Sequence, residues 1–574
     1  MAKKSSISPN FATTAGQRES NASPPWLSVG RAIALLLLAA VSSPLSQRAL
    51  APVYGSTPSS AYHRAVTIAA IFTGSILRHR FPRFIGRQDA NFLPALAFAI
   101  PTIQFFLFKQ SSSLGNPIGP FVTELATFFP LLLLSVSASS ALLGVLRLQD
   151  YGEIVAEHAP LIGSLVLYSF GEKVAQSALS KFIGSSFLLT CSALQLVVAF
   201  LYAATLPSIW VLLALPSLLF SATSNVHMPF DRTTAVLNST LHGYGYNLVA
   251  RQESLTGYIS VLENTKTGFR AMRCDHSLLG GEWTKTPAGY NPRARDPIYA
   301  VFAMLEAVRL VEPDDGSRAR ADKDSSALVM YGVPIILGLG IGTTPSALIS
   351  HGIDTTIVEI DPVVHKFATQ YFHLPANHTP IIEDAVTFVQ KAQKEPESRR
   401  YDYIVHDVFT GGAEPVELFT LEFMQGLNSL LKDDGVIAIN YAGNLTLPSA
   451  GLVVRTIQTV FPSCRIFRED EASKESPTAD FSNMVVFCKK SAAQPLRFRQ
   501  PTQADFLGSK SRESYLLPKH EIDPGVFEAL EAPKKQRILK VGETDILQAY
   551  HAHSALGHWQ IMRTVLPAEI WENW

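Results

Sequence analysis

Three glycines on alternate positions, Gly338, Gly340 and Gly342, mark the stretch of this chain best suited to chemistry. An apolar run over 332–337 leads into them. A helical pattern follows and closes at His351-Gly352, and a second apolar run over 355–358 ends on Glu359. Glycines let the backbone approach a ligand closely, and a carboxylate about 20 residues further on can hold a ribose diol. Glu359 stands 21 positions after Gly338, so the pattern predicts a nucleoside site. A dinucleotide site needs G-x-G-x-x-G so that pyrophosphate can sit on a helix N-terminus. Here the glycines fall at +2 and +4, Thr343 stands at +5, and no G-K-[ST] follows. S-adenosylmethionine carries no phosphate and needs only ribose and adenine contacts. It is the expected cofactor, ahead of NAD.

The elements that must position these residues read as strands alternating with helices from 330 onward, hence an α/β doubly wound sheet. Strands are expected at 332–337, 355–359, 380–382, 402–406, 434–440, 462–467 and 482–488, with helices at 343–351, 362–371, 384–394, 417–432 and 449–460. Ligands gather at the carboxyl ends of such strands. Those ends carry Gly338–Gly342, Glu359, Glu383-Asp384 and His406-Asp407. Upstream, 233–274 reads as three short antiparallel strands, 297–311 as a buried helix and 312–328 as a polar surface loop. The expected organisation is a disordered 1–30, an apolar 31–222, a small β-domain with its connecting helix over 223–328, a cofactor domain over 329–490 and an extension over 491–574.

The apolar part accounts for most of the 47% hydrophobic content against 17% charged residues. Apolar runs at 31–46, 61–77, 91–108, 121–146, 159–172, 183–204 and 206–222 read as a polytopic α-helical membrane domain with six or seven spans. Arg78, Arg80, Arg83 and Arg87 form the strongest cationic loop, which the positive-inside rule assigns to the cytosol together with Lys3 and Lys4. Six crossings leave the C-terminal half cytosolic and seven leave it outside. The cytosolic pool of S-adenosylmethionine favours six. With 48 basic and 48 acidic residues and no basic run, nucleic acid is not an expected partner. The expected partners are a small-molecule acceptor, the bilayer and a second copy of the chain. The four cysteines form no CxxC, so neither a disulfide framework nor a zinc site is expected, and His551, His553 and His558 lack companion ligands for a metal. Asn238, Asn377 and Asn444 each begin an N-glycosylation pattern.

Residues 240–490 resemble the spermidine/spermine synthase family and its methyltransferase-like relatives. Leu339-Gly-Ile-Gly-Thr343 is similar to the family's Gly-rich turn, Val358-Glu-Ile-Asp-Pro362 to its V-E-I-D stretch, Glu383-Asp-Ala385 to its G-D-A, and Tyr401–Asp407 to the strand that leads to a catalytic Asp. The resemblance implies that Glu359 holds the ribose, that Asp384, with Ala385, faces the adenine amino group, and that Asp407 is catalytic. The departures lie in the acceptor site. Thr410 replaces the second Asp of D-x-x-D, and Leu279 replaces the Gln of D-G-x-x-Q. A dicationic polyamine needs those carboxylates, so methyl transfer is expected, with aminopropyl transfer as the alternative. A non-catalytic nucleoside-binding protein and a regulator of transport are the remaining classes. A hydroxyl acceptor would need a base, for which His406 and Asp407 are candidates. A carboxylate acceptor would need a cation. Arg293 and Arg295 stand where the family's substrate segment falls, so methyl esterification of a small carboxylic acid is the expected reaction.

Overall fold

The computed structural model describes residues 24–80, 89–290, 292–314, 322–330, 339–395, 398–408, 416–471, 480–530 and 536–574. Among them the apolar half forms seven helical segments: α1 (Pro25–Tyr54), α2 (His63–Arg80), α3 (Leu93–Phe108), α4 (Ile118–Leu146, interrupted at Thr127), α5 (Glu153–Phe182), α6 (Cys191–Thr205) and α7 (Ile209–Thr223). By length and composition α1, α4 and α5 could each cross a membrane, and α3, α6 and α7 are shorter apolar helices. On α5, Ile162, Val166, Phe170 and Val174 recur every fourth residue and are all exposed. That spacing puts them in one outward stripe with no protein partner.

The helix ends sort into two sets. The end of α1, the turn after α3, the start of α6 and the segment after α7 all meet the C-terminal half. Pro52 O accepts from Arg273, Ser111 Oγ donates to Glu572, Cys191 N–H donates to Glu253 Oε2, and His227 Nε2 bonds Glu572 O. At the opposite end of the bundle Phe92, before α3, stacks on Trp210 of α7 at 4.8 Å. The start of α1 and the C-terminal end of α2 belong to that remote end.

In the C-terminal half, α8 (Asp231–Gly243) replaces the alternation expected from 233. A four-stranded antiparallel sheet follows: β1 (Tyr246–Ser254), β2 (Gly257–Asn264), β3 (Phe269–Cys274) and β4 (Ser277–Trp283), in the order β1-β2-β3-β4. The short helix α9 (Ala300–Leu305) packs beneath them in the expected buried segment. Then come β5 (Ser326–Met330), α10 (Thr343–Ser350), β6 (Asp354–Glu359), α11 (Pro362–Tyr371), β7 (Thr379–Ile382), α12 (Ala385–Lys394), β8 (Tyr401–His406), α13 (Leu421–Leu430), β9 (Leu431–Asn444), α14 (Pro448–Val460), β10 (Ser463–Arg468), β11 (Phe481–Lys489) and β12 (His520–Ile522). These strands form one sheet ordered β12-β10-β11-β9-β8-β5-β6-β7. Strands β5 to β9 run parallel, and β10, β11 and β12 pair antiparallel. β5 lies between β6 and β8, so the chain reverses its winding there, which is where such sheets bind ligands.

Two expectations are corrected. The central strand is Ser326–Met330, at the end of the stretch read as a loop, whereas 332–337 lies outside the described residues. Ala327–Met330 is fully buried. Cys464 and Cys488, expected to stay free, face each other across β10 and β11 and are joined by a disulfide. Strand register, which cysteine spacing does not reveal, brings them together.

Past the sheet, α15 (Asp545–Val565) and α16 (Ala568–Glu572) return to the bundle. The fully buried Arg273 of β3 locks them there, donating to Ile570 O and Pro52 O at 2.6 Å each and to Trp571 O at 3.1 Å. Arg563 and Trp559 of α15 both donate to Val53 O. Trp574 stacks on His227 at 4.8 Å.

Candidate active site

The Gly-rich turn, Glu359 and Asp384 assemble at the carboxyl ends of the parallel strands. Gly340 has φ +57°, and a Cβ there would lie 2.2 Å from Leu279 O, so only glycine fits between the turn and β4. Gly342 has φ +77° and leads into α10, whose first residue, Thr343, is buried with its hydroxyl unpartnered among the described residues. Glu359 is fully buried. It accepts from Leu339 N–H in the turn and from Asp361 N–H at 2.7 Å. Burial pushes its carboxyl up to about 8, against the pull of those two N–H groups. Asp361 caps α11 through Val363 N–H at 2.8 Å and is tied to the small sheet by Ser254 Oγ at 2.7 Å and Thr256 Oγ1 at 2.6 Å. Asp384 caps α12 through Thr387 N–H at 2.9 Å, beside the buried Ala385, while its other carboxylate oxygen is buried without a partner among the described residues. A close-approach turn, a buried carboxylate at the position expected to hold ribose and an orphaned acceptor just after the next strand fit a phosphate-free nucleoside. Gly338 lies outside the described residues.

Beside the turn is a cavity of about 210 Å³, and Leu339 and Asp407 line it. Asp407 follows β8. Its N–H donates to Met330 O at 3.2 Å, and Oδ1 accepts from Asn440 Nδ2 at 2.9 Å. Burial raises its carboxyl to about 6, opposed by the Asn440 bond. Glu469 and Asp470 also face the cavity. Glu469 is fixed by Ala300 N–H at 2.9 Å and Asn483 Nδ2 at 2.7 Å. Among the described lining residues there are three carboxylates and no Lys or Arg. Such a wall repels a carboxylate and favours an acceptor rich in N–H groups.

That geometry corrects the expected acceptor chemistry. His406 does not face the cavity. It precedes Asp407 on the strand, points to the other face and sits between Phe419 and Phe423, with ring centroids 5.2 and 5.8 Å away. Burial lowers it to about 4. Arg293 and Arg295 are exposed and line a different cavity of about 150 Å³, with Ile341 and Gly342 on the turn's outer side. They do not meet Asp407. Thr410 lies outside the described residues. The extension supplies what the motifs did not: His558, Ile561, Met562 and Val565 of α15 close the acceptor cavity. The ring of His558 bonds the backbone of His276, and burial lowers it to about 3, so it is neutral. The His551/His553/His558 pattern was visible in sequence, but only as a metal motif.

The sequence profile of the Spermine/spermidine synthase domain matches residues 331–468. An N-terminal histidine N-methyltransferase of Emericella nidulans is 55% identical over 549 residues, covering 94% of this chain and 96% of that protein. The chain belongs to that enzyme's family. A polyamine aminopropyltransferase of Vibrio vulnificus is 37% identical over 113 residues, 18% of this chain and 36% of that protein. Among solved structures, a probable spermidine synthase from Corynebacterium glutamicum aligns with TM-score 0.36 and 15% identity over 50% of this chain and 94% of its own. Human methyltransferase-like protein 13 in complex with SAH aligns with TM-score 0.26 and 22% identity over 38% of this chain and 93% of its own. The chain is an S-adenosylmethionine-dependent methyltransferase. Nothing in these similarities supports the expected esterification of a carboxylic acid.

Proposed function

We propose that this methyltransferase acts on a nitrogen of a histidine at the N-terminus of a polypeptide. The near-full-length similarity to an enzyme of that name carries the reading, and the acidic acceptor cavity supports it. S-adenosylmethionine, held by Gly340–Thr343, Glu359 and Asp384, supplies an electrophilic methyl group. The acceptor nitrogen must present a lone pair in line with it. Asp407, ionised above about pH 6, accepts an N–H of the acceptor and takes the proton released as the new N–C bond forms. Asn440 aims that carboxylate, and neutral His558 adds no competing positive charge. Aminopropyl transfer shares the acidic wall but lacks support from Leu279 and Thr410, where that chemistry uses Gln and Asp. Purified enzyme would be offered tritiated methyl donor with a His-first peptide, putrescine and a dicarboxylic acid. Label on the peptide alone is expected. Label on the acid, or none on the peptide, refutes the proposal.

We also propose that α1–α7 span a membrane and that the catalytic half lies on the non-cytosolic side, opposite to the expectation from the cofactor pool. Three observations support this. The helix ends that meet the catalytic half lie opposite the C-terminal end of α2, and the positive-inside rule assigns the arginines that follow in sequence to the cytosol. A disulfide joins Cys464 and Cys488, as is usual in oxidising compartments. Finally, ribosomal chains begin with Met, so a histidine reaches an N-terminus only after a proteolytic cut.

A further inference from the structure

A second cavity, of about 440 Å³, lies where the bundle meets the small sheet, between α1, α5 and the β1–β2 turn. It shares no lining residue with the acceptor cavity and is large enough for a small-molecule group. Its walls carry Gln47 and Arg48 of α1, Lys173 and Gln176 of α5, and Thr256 and Asp275 of the sheet. Arg48 is half-buried. Its guanidinium makes one long hydrogen bond, to Leu255 O at 3.5 Å, and no ion pair among the described residues. Lys173 makes neither there. A guanidinium offers five donors, so most of its hydrogen-bonding capacity is unspent, while its charge faces the buried carboxyls of Glu253 and Asp275.

The level of the cavity is informative. On α5 Lys173, Gln176 and Ser177 bring polar side chains beside the outward apolar stripe, which runs on through Val174 to the exposed Phe182. On α1 the exposed Ile33 and Leu37 give way to Gln47 and Arg48. The cavity therefore opens where polar side chains join exposed apolar ones towards the catalytic end of the bundle, a mixture suited to headgroup depth in a spanning bundle. Two cations stand on the bundle side and one carboxylate on the sheet side, where Asp275 is anchored by Tyr258 N–H at 2.9 Å. That set complements a group with a phosphodiester at one end and an ammonium a few bonds away, because arginine grips phosphate oxygens through paired donors.

We infer that this cavity binds the headgroup of an aminophospholipid, with the phosphodiester on Arg48 and Lys173 and the ammonium on Asp275. The inference rests on the membrane-spanning reading. The test is native mass spectrometry of the full chain released from detergent micelles doped with phosphatidylethanolamine, phosphatidylcholine or phosphatidylglycerol, or supplied with free glycerophosphoethanolamine. One retained phosphatidylethanolamine per chain is expected. Retention should fall at least tenfold in the Arg48→Gln/Lys173→Gln double variant, with unchanged affinity for S-adenosylhomocysteine showing that the fold is intact. Asp275→Asn should erase the preference for phosphatidylethanolamine over phosphatidylglycerol. Equal retention in the double variant, or equal retention of phosphatidylcholine, overturns the inference. Free glycerophosphoethanolamine binding as well as the lipid would keep the headgroup chemistry and overturn the bilayer as its source. A chain that carbonate washing strips from membranes refutes the spanning reading itself, whereas an integral chain with no adduct refutes only this site.

Discussion

Replacing Asp407 by Asn keeps the shape of the side chain and removes its charge. In the structure Asp407 is 6% exposed, lines the acceptor cavity and has Asn440 as its side-chain partner at 2.9 Å. A hydrogen bond from an acceptor N–H to a charged group contributes about 1.5–3 kcal/mol, and each 1.36 kcal/mol is tenfold in rate. The Asn variant should therefore lose about 10- to 150-fold in kcat/KM for the acceptor while its affinity for S-adenosylhomocysteine is unchanged. Stability should move the other way. The carboxyl rises from 3.8 to about 6 on folding, so the folded state holds its proton more tightly than the unfolded chain. The resulting penalty is absent below pH 3.8, grows up to about pH 6 and is complete above it. A shift of that size corresponds to about 3 kcal/mol. Asp407→Asn should thus melt at the same or a higher temperature than the parent at pH 7.5, with the difference gone near pH 4. The parent's kcat/KM should climb as pH rises through about 6 and Asp407 ionises, a contribution the variant lacks, while the rise from deprotonation of the acceptor's own imidazole or α-amino group remains in both. Steady-state kinetics and thermal melts across pH 4–8 read both effects. A fully active Asn variant, or one whose pH profile matches the parent's, refutes the role given to Asp407.

Glu359→Gln places an amide where Leu339 and Asp361 both donate N–H groups, and should weaken calorimetric binding of S-adenosylhomocysteine by at least about tenfold, on the 1.5–3 kcal/mol scale of a charged hydrogen bond; unchanged affinity removes Glu359 from the cofactor site. Arg273→Met strips donors from the carbonyls of Pro52, Ile570 and Trp571 and should cost at least about 3 kcal/mol. Because α15 walls the acceptor cavity but not the Gly-rich turn, the same variant should raise acceptor KM more than donor KM; equal rises would deny the coupling. Asn238 and Asn377 are exposed and Asn444 is buried, so expression in a eukaryotic host should give an endoglycosidase-sensitive mass shift that is lost in Asn238→Gln/Asn377→Gln. A chain without any shift would put the catalytic half back in the cytosol.

Much of the cofactor site was legible because its residues are local. β6 and α11 fall within a residue of the expected bounds, and Glu359 and Asp384 stand at strand ends where alternation and glycine spacing predicted them. What sequence did not convey depends on contacts between distant segments. The strand at Ser326–Met330 lies where polarity suggests a loop up to 328, and its place in the sheet is set by pairing with the distant β6 and β8. Cys464 and Cys488 meet through register. The outward face of His406 follows from alternation once Asp407 is known to face the cavity, but which of the two does so is set by the helices packed on the sheet. Arg293 and Arg295 were placed by analogy with the family's substrate segment, and here they line a cavity separate from Asp407. The acceptor wall on α15 comes from the extension, to which sequence assigned no role, and it reaches the site because Arg273 and Arg563 pin it to the end of α1.

The central claim is methyl transfer to a nitrogen of an N-terminal histidine. Tandem mass spectrometry of a His-first peptide, incubated with the enzyme and methyl donor beside the same sequence preceded by Met, tests it most directly. The account predicts a single added methyl, confined by fragment ions to the first residue of the His-first peptide and absent from the Met-preceded one. Methyl on an internal residue, equal modification of both peptides, or no modification of either would contradict it.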